Sequence, residues 1–99
     1  MEFDWDATKA AANVRKHGVS FDEARSVFES AITITTDDEE HSAWEKREKT
    51  IGVSKRFRVL VVIHGKPVAD RIWVISARKA TRQERKAYEE EVERKLNEG

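Results

Sequence analysis

The chain has 99 residues, of which 38% are hydrophobic and another 38% are charged. This length supports one modest core, so we expect a single folded domain over residues 1–99. The absence of cysteine excludes disulfide and thiol chemistry and favours a reducing compartment. No apolar stretch approaches the ~18 residues of a membrane span, and the acidic start is unlike a signal peptide. Together these features predict a cytoplasmic protein.

The charges balance overall but are unevenly distributed. The 19 basic and 19 acidic side chains argue against a protein that coats nucleic acid with its whole surface. Residues 37–40 are all acidic, whereas residues 78–86 hold five basic side chains and one acidic one. A local patch is enough to bind a few phosphates, so the balance is compatible with a nuclease. We expect the acidic run to be a solvated loop, and it would also suit a basic partner.

The first third of the chain predicts a short strand and two helices. Aromatic and acidic residues alternate at the start, which indicates the strand. Asp6 is a suitable N-cap for a helix over Ala7–His17, which Gly18 would end. The segment Ser20–Glu23 fits a capping box, and we expect the second helix to end near Glu29.

From residue 32 the pattern becomes that of β-strands. We expect four of them, at about Ile32–Thr36, Arg47–Ser54, Phe57–His64 and Ala69–Ala77. The last two contain continuous apolar runs, which indicates central strands covered on both faces. Gly65–Pro67 predicts the hairpin turn between them.

The end of the chain predicts a third helix. Thr81–Glu84 fits another capping box, and Tyr88, Val92 and Leu96 form one narrow apolar stripe on an otherwise charged helix. The resulting order, β-α-α-β-β-β-β-α, indicates an α+β protein whose antiparallel sheet has two helices before it and one after it.

Four segments carry a resemblance to a known family. They are Phe3-x-Trp5-Asp6-x-x-Lys9-x-x-x-Asn13-x-x-Lys16-His17-Gly18-Val19-Ser20-Phe21-x-Glu23-Ala24, then Thr50-Ile51-Gly52-Val53-Ser54, Asp70-Arg71-Ile72, and Ile75-Ser76-Ala77-Arg78-Lys79-Ala80-Thr81-x-x-Glu84-Arg85-x-x-Tyr88. In these residues the chain resembles the BrnT toxins of type II toxin–antitoxin systems, which have the RelE-like fold of microbial ribonucleases.

The resemblance implies an activity and a set of partners. The protein would cleave RNA without a metal or other cofactor and so inhibit translation and growth. A BrnA-like ribbon-helix-helix antitoxin would neutralise it, and operator DNA would be bound only through the toxin–antitoxin complex. Two alternatives stay open, a non-catalytic co-repressor that only binds the antitoxin and a small housekeeping RNA-binding protein. The balanced charge and the lack of an aromatic RNA platform argue against the latter.

The segment Ser76–Thr81 is the principal candidate for the site. A strand ends and a helix begins there, so Arg78, Lys79 and Arg82 are expected to converge with first-turn amides where an anion binds. Arginine suits this role because its planar fork contacts phosphate oxygens at two points. The alternative is a solvated basic helix entry with surface ion pairs.

Two of the three histidines are candidates for acid–base chemistry, since imidazole titrates near neutral pH. His64 ends an apolar strand. Ser76 and Arg78 share strand parity with Ile72 and Val74, which predicts that they share a face, and we expect strand pairing to place His64 near them. The alternative is a histidine that is simply exposed. Lys16 and His17 end the first helix, where they either reach the RNA or complement the helix dipole.

Further cations and the tryptophans complete the candidates. Arg47 and Lys49 alternate along one strand, and Arg71 opens another, so each either neutralises phosphate or forms a surface pair. We expect Trp5 and Trp73 in the core, whereas Trp44 is a candidate antitoxin contact. The expected catalytic residues are Arg78, His64, His17, Arg47 and Arg71. The expected RNA-binding residues are Lys16, Lys49, Ser76, Lys79 and Arg82, with no metal site because the histidines lack ligand spacing.

Overall fold

The computed structural model describes residues 1–39 and 46–98. Its elements are β1 (Glu2–Asp4), α1 (Ala7–His17), α2 (Phe21–Ser26) with a 3₁₀ turn (Val27–Glu29), β2 (Ile34–Asp37), β3 (Arg47–Val53), β4 (Val59–Gly65), β5 (Arg71–Lys79) and α3 (Arg82–Glu98). This confirms the α+β class and the predicted order of elements. None of the helices in these two ranges has the length and apolarity needed to cross a membrane.

The five strands form one sheet in the order β1-β5-β4-β3-β2. Strands β2 to β5 pair antiparallel, as predicted, and β4 lies at the centre. The edge strand β1 pairs parallel with β5, so the sheet is mixed rather than wholly antiparallel. After β1 the chain forms both N-terminal helices and enters the far edge of the sheet as β2. It then crosses the sheet through β3 and β4, and β5 reaches β1 in the same direction.

The main core lies between the two N-terminal helices and one face of the sheet, called here the helix-covered face. The buried cluster contains Val19, Phe21, Ala24, Val27, Leu60, Val62, Val74 and Ala77. Trp5 packs against it, edge-on to Phe21 at 5.8 Å between ring centroids. This confirms the core position predicted for Trp5.

The predicted helix ends are present. The Asp6 carboxylate accepts the Lys9 N–H at 3.0 Å, and Ser20 Oγ accepts the Glu23 N–H at 3.0 Å. Gly18 closes α1 at φ 68°, a left-handed conformation in which glycine avoids the steric penalty of a Cβ. Much of the first family segment therefore builds the junction between α1 and α2.

Two buried polar side chains fasten the helices to the sheet. The Asn13 amide nitrogen donates to the carbonyl oxygens of Val19 and Ala77, both at 2.8 Å, and its oxygen accepts the Ala77 N–H. Glu23 accepts hydrogen bonds from Ser54 Oγ at 2.7 Å and from Arg58 Nε at 2.9 Å. The Arg58 guanidinium lowers the pKa of the Glu23 carboxyl, so this group stays ionised although it is buried.

Helix α3 lies on the opposite side of the sheet. The buried Tyr88 donates its hydroxyl to the Ile32 carbonyl oxygen at 2.6 Å, which holds the helix against the segment before β2. Val92 is partly buried. Leu96 is exposed, so the packing of the predicted apolar stripe weakens towards the end of the helix.

The hairpin turn between β4 and β5 lies later than predicted. Val68 and Arg71 exchange backbone hydrogen bonds of 2.9 and 3.0 Å around Ala69 and Asp70, which have φ of 50° and 62°. These values define a two-residue turn of the type I′ class. The prediction of a turn at Gly65–Pro67 is wrong because Gly65 is still part of β4. The usual Asn-Gly signal of such turns is missing here.

Candidate functional site

A β-bulge in β5 decides which side chains share a face. Ile63 pairs with Ser76, but His64 pairs with Val74, so one residue of β5 has no counterpart in β4. The prediction that Ser76 and Arg78 share a face with Ile72 and Val74 is therefore wrong. An extra residue reverses the alternation of side chains beyond it, and Ser76 and Arg78 turn to the face opposite the N-terminal helices.

Helix α3 lies on this side of the sheet, and Val61, between Ile51 and Arg78, is fully buried. We call the second face the open sheet face, and define it by Arg47, Lys49, Ile51, Ile63, Trp73, Ser76 and Arg78. Strand register sets its rows: Lys49 pairs with Ile63, which pairs with Ser76, and Ile51 pairs with Val61, which pairs with Arg78. Arg47 and Lys49 share the face by simple alternation along β3, as predicted. The strands thus bring Arg47, Lys49, Ser76 and Arg78 of the predicted site residues onto one surface.

Of the groups expected to converge at the end of β5, Arg78 and a first-turn amide of α3 do so, around an anion from within the chain. Arg78 Nη1 and Nη2 donate to the two Glu84 carboxylate oxygens at 2.7 and 3.0 Å. The Thr81 N–H donates to the same carboxylate at 2.8 Å, while Thr81 Oγ1 accepts the Glu84 N–H at 3.1 Å. The capping box is confirmed, and Glu84 occupies the place foreseen for an external anion.

This pair shapes the electrostatics of the region. Hydrogen bonding from Arg78 lowers the pKa of the Glu84 carboxyl to about 2, so Glu84 is fully ionised near neutral pH. The Arg78 side chain is 38% exposed and also donates to the Lys79 carbonyl oxygen. Arg78 is thus a guanidinium held in position by Glu84 and still in contact with solvent.

His64 is buried on the helix-covered face with 1% of its surface exposed. Its Nδ1 lies 2.8 Å from the Gly65 carbonyl oxygen, which only accepts, so Nδ1 carries the proton and Nε2 accepts from the Thr50 hydroxyl at 2.7 Å. Phe28 packs edge-on to the ring. Ile63 is the residue of β4 that pairs with Ser76, and His64, the next residue, points to the opposite face of the sheet. The prediction that His64 lies beside Ser76 and Arg78 is therefore wrong. Burial also lowers the pKa of the imidazole.

Arg71 lies two residues before Trp73 at the opposite end of β5 from Arg78. It starts β5, seven residues before Arg78 and roughly 20 Å away along the strand. Its guanidinium pairs with Glu2 at 2.6 Å and with Asp4, both on β1. This accounts for Arg71 as a clamp on the parallel edge strand.

The other predicted cations lie at the margins of the sheet. Lys16 and His17 form the last turn of α1, which packs against β5 in the layer of the N-terminal helices. Lys79 ends β5 and Arg82 begins α3. Neither His17 nor His64, the histidines in the described ranges, lies on the open sheet face.

The aromatic and acidic candidates separate. Trp73 is 50% exposed on the open sheet face, so its predicted place in the core is wrong. Asp38, within the run expected to be a solvated loop, is buried. Trp44 and Glu40, together with the third histidine, His41, lie outside the described residues.

Sequence reasoning missed two participants at this surface. The capping-box pattern predicts only a capping role for Glu84, although a carboxylate six residues after Arg78 and just inside a helix start is within reach of the strand end. The apolar neighbours Ile72, Val74 and Ile75 predict a core position for Trp73. Alternation alone separates Trp73 from Ile72 and Val74, and this signal was available.

The fold and this surface define a small α+β protein with a cationic sheet face suited to a polyanion. A family model described as the ribonuclease toxin BrnT of type II toxin–antitoxin systems matches residues 5–84, and the chain belongs to that family. It is thus a ribonuclease toxin with an RNA substrate and an antitoxin partner.

A solved structure supports the same conclusion. The crystal structure of the Brucella abortus ribonuclease toxin BrnT matches with a TM-score of 0.61 and 28% identity, covering 83% of this chain and 99% of that one. No curated protein matches the chain.

Proposed function

We propose that this toxin cleaves RNA on the open sheet face by metal-independent transesterification, in the cytoplasm where its substrate is. The observation that carries the proposal is the placement of Arg47, Lys49, Ser76 and Arg78 on one surface by strand register and the β5 bulge. Cations fixed on strands hold phosphate at a defined position, because the sheet restricts their movement. Arg82, at the start of α3, extends the basic surface towards flanking phosphates, whereas Lys79 pairs with Leu60 and so lies on the helix-covered side.

The reaction needs charge stabilisation more than any other contribution. The 2′-oxygen attacks the adjacent phosphorus, the bond from phosphorus to the 5′-oxygen breaks, and a 2′,3′-cyclic phosphate and a 5′-hydroxyl result. The 2′-hydroxyl proton leaves to solvent, and the 5′-oxygen gains a proton. Arg78, oriented by Glu84, stabilises the charge that develops on the phosphorane oxygens. Arg47 and Lys49 neutralise the ground-state phosphates.

Residue placement narrows the assignment of roles. His64 is buried and Arg71 pairs with Glu2 on β1, so neither residue takes part in the proposed chemistry. Lys16 and His17 are left as contacts for more distant nucleotides. Within residues 1–39 and 46–98, no three His, Asp or Glu side chains are grouped to hold a metal ion.

The direct test is RNA cleavage by the purified protein with excess EDTA. Wild type is expected to produce fragments ending in 2′,3′-cyclic phosphate, with the same rate in EDTA and in Mg²⁺. Arg78→Ala should lower kcat/KM by ~10²–10³-fold, the usual effect of removing one charge-stabilising donor. Arg94→Ala is the matched control, since Arg94 pairs with Glu91 on the distal part of α3.

Growth after induced expression without an antitoxin separates the proposal from its alternative. Wild type should arrest growth and Arg78→Ala should not. A wild type that neither arrests growth nor cleaves RNA would support the non-catalytic co-repressor. If folded Arg78→Ala retains full activity, the site assignment fails while the ribonuclease function stands.

We further propose that the antitoxin is a BrnA-like ribbon-helix-helix protein and that operator DNA is bound only by the complex. The balanced charge of the toxin supports this, because a protein of zero net charge has little general affinity for DNA. The gene next to the toxin gene should encode the antitoxin. A gel-shift assay should show operator binding by the copurified pair and none by the toxin. Binding by the toxin alone contradicts the proposal.

A further inference from the structure

Trp73 occupies an unusual position for a tryptophan within a sheet. The neighbouring β5 residues Ile72 and Val74 are buried on the helix-covered face, whereas half of the Trp73 surface faces solvent. A large aromatic side chain left exposed on a strand forgoes much of the stabilisation that its burial would give. The exposed half of the indole is available to a ligand.

The strand next to Trp73 has a glycine at the position that faces it. Gly65 lies across from Trp73 on β4, and a Cβ placed on Gly65 would be 4.0 Å from the Trp73 Cβ. Gly65 pairs on its other side with Arg47. Because glycine has no side chain, Gly65 itself does not fill the space between Arg47 and Trp73, and we call this position the depression.

This depression adjoins the proposed phosphate contacts. Ser76 is three residues from Trp73 on the same face, roughly 10 Å along β5, and Lys49 lies in the same row as Ser76. Proteins that bind single-stranded nucleic acid combine a cationic groove for the backbone with aromatic side chains on which bases stack. The open sheet face has both parts.

We propose that Trp73 stacks on a nucleobase of the RNA strand and thereby positions the neighbouring phosphate over Lys49, Ser76 and Arg78. The inference rests on the proposed function of this face. Stacking on an indole tolerates every base, so Trp73 contributes affinity and register rather than strict sequence selection. A single exposed indole among the described residues, on the same face as Arg47 and Lys49, favours a nucleobase of a polyanion over an apolar helix of a protein partner.

The test measures binding of a fluorescent single-stranded 2′-O-methyl RNA, which lacks the 2′-nucleophile and is not cleaved. Trp73→Ala should raise Kd by ~5- to 150-fold, which is the usual effect of removing one aromatic side chain that stacks on a base. Trp73→Phe, which keeps an aromatic face, should raise Kd much less. Val14→Ala, an exposed apolar residue on α1, is the control and should leave Kd unchanged.

Abasic oligonucleotides provide the second arm. Removing the base at the stacked position should weaken wild-type binding as much as Trp73→Ala does, and the combined change should add little more. Gly65→Val should also weaken binding, because it fills the depression. Equal Kd values for wild type and Trp73→Ala overturn the inference. It is also overturned if Trp73→Ala binds RNA normally and loses only its binding to the antitoxin. A wild type that neither binds nor cleaves RNA is instead a failure of the proposed function.

Discussion

The Arg78 guanidinium and the Glu84 carboxylate face each other at two points, with Nη1–Oε1 at 2.7 Å and Nη2–Oε2 at 3.0 Å. The same carboxylate accepts the Thr81 N–H. One side chain therefore caps α3, fastens this helix to the end of β5 and orients the arginine of the proposed site. Fold stability and site geometry are coupled through Glu84.

Glu84→Gln should lower the free energy of unfolding at neutral pH by about 1–2 kcal/mol, since this pair is only partly buried. The pKa of Glu84 is about 2 in the folded protein. Because this pKa is lower than that of Glu84 in the unfolded chain, the ionised carboxylate stabilises the fold at any pH above the unfolded pKa. This stabilisation is lost as the pH falls towards 2. Urea unfolding from pH 7 to pH 2.5 should show wild type and variant converging in acid. The exposed Glu93 on α3 provides the control, Glu93→Gln, which should stay within ~0.5 kcal/mol of wild type. A constant gap across the pH range would contradict the assignment.

His64 should make the fold sensitive to mild acid. Burial lowers the pKa of its imidazole, so below about pH 6.5 the unfolded chain binds the proton more readily than the folded one does. Stability is therefore lost as the pH falls from ~6.5 through the folded pKa. His64→Gln should flatten the decrease in urea midpoint between pH 7.5 and pH 5, whereas His17→Gln should retain it. At neutral pH His64→Gln should also cleave RNA at close to the wild-type kcat. A large loss of kcat in the folded variant would return His64 to the chemistry.

Asn13→Ala should destabilise the protein by about 2–4 kcal/mol. The change removes three hydrogen bonds and leaves the Val19 carbonyl and both backbone groups of Ala77 without this partner in a buried setting. Thermal and urea unfolding provide the measurement. Asn97→Ala, at an exposed position near the end of α3, should change stability by less than ~0.5 kcal/mol. Equal effects of the two substitutions would show that Asn13 does not connect α1 to β5.

Gly52→Ala should cost about 1–3 kcal/mol because there is no space for a methyl group. A Cβ on Gly52 would lie 2.9 Å from Val27 Cγ1 and 3.3 Å from the Val27 carbonyl oxygen. Gly65→Ala is the matched control on the adjacent strand, where the nearest atom is 4.0 Å away. Denaturation midpoints should therefore separate the two variants, and a tolerated Gly52→Ala would mean that the 3₁₀ turn yields readily.

Much of the candidate site was predictable as a set of residues but not as an arrangement. Arg47 and Lys49 share a face because strands alternate, and this follows from the sequence. Ser76 and Arg78 join them only through the bulge opposite Ile63 and His64. Without the bulge, alternation would put Ser76 and Arg78 on the helix-covered face. A one-residue register shift leaves no clear mark in an apolar run such as Ile72–Ile75.

The sequence by itself determined the features that depend on neighbours within a few residues. These features include the caps at Asp6, Ser20 and Thr81 and the left-handed Gly18, because their hydrogen bonds close over three or four residues. The order of elements also follows from the local pattern of apolar and polar residues. Tertiary structure alone decided the parallel pairing of β1 with β5, the burial of His64 and the exposure of Trp73. These depend on pairings between residues distant in the chain, whose register is set by the packing of the whole sheet.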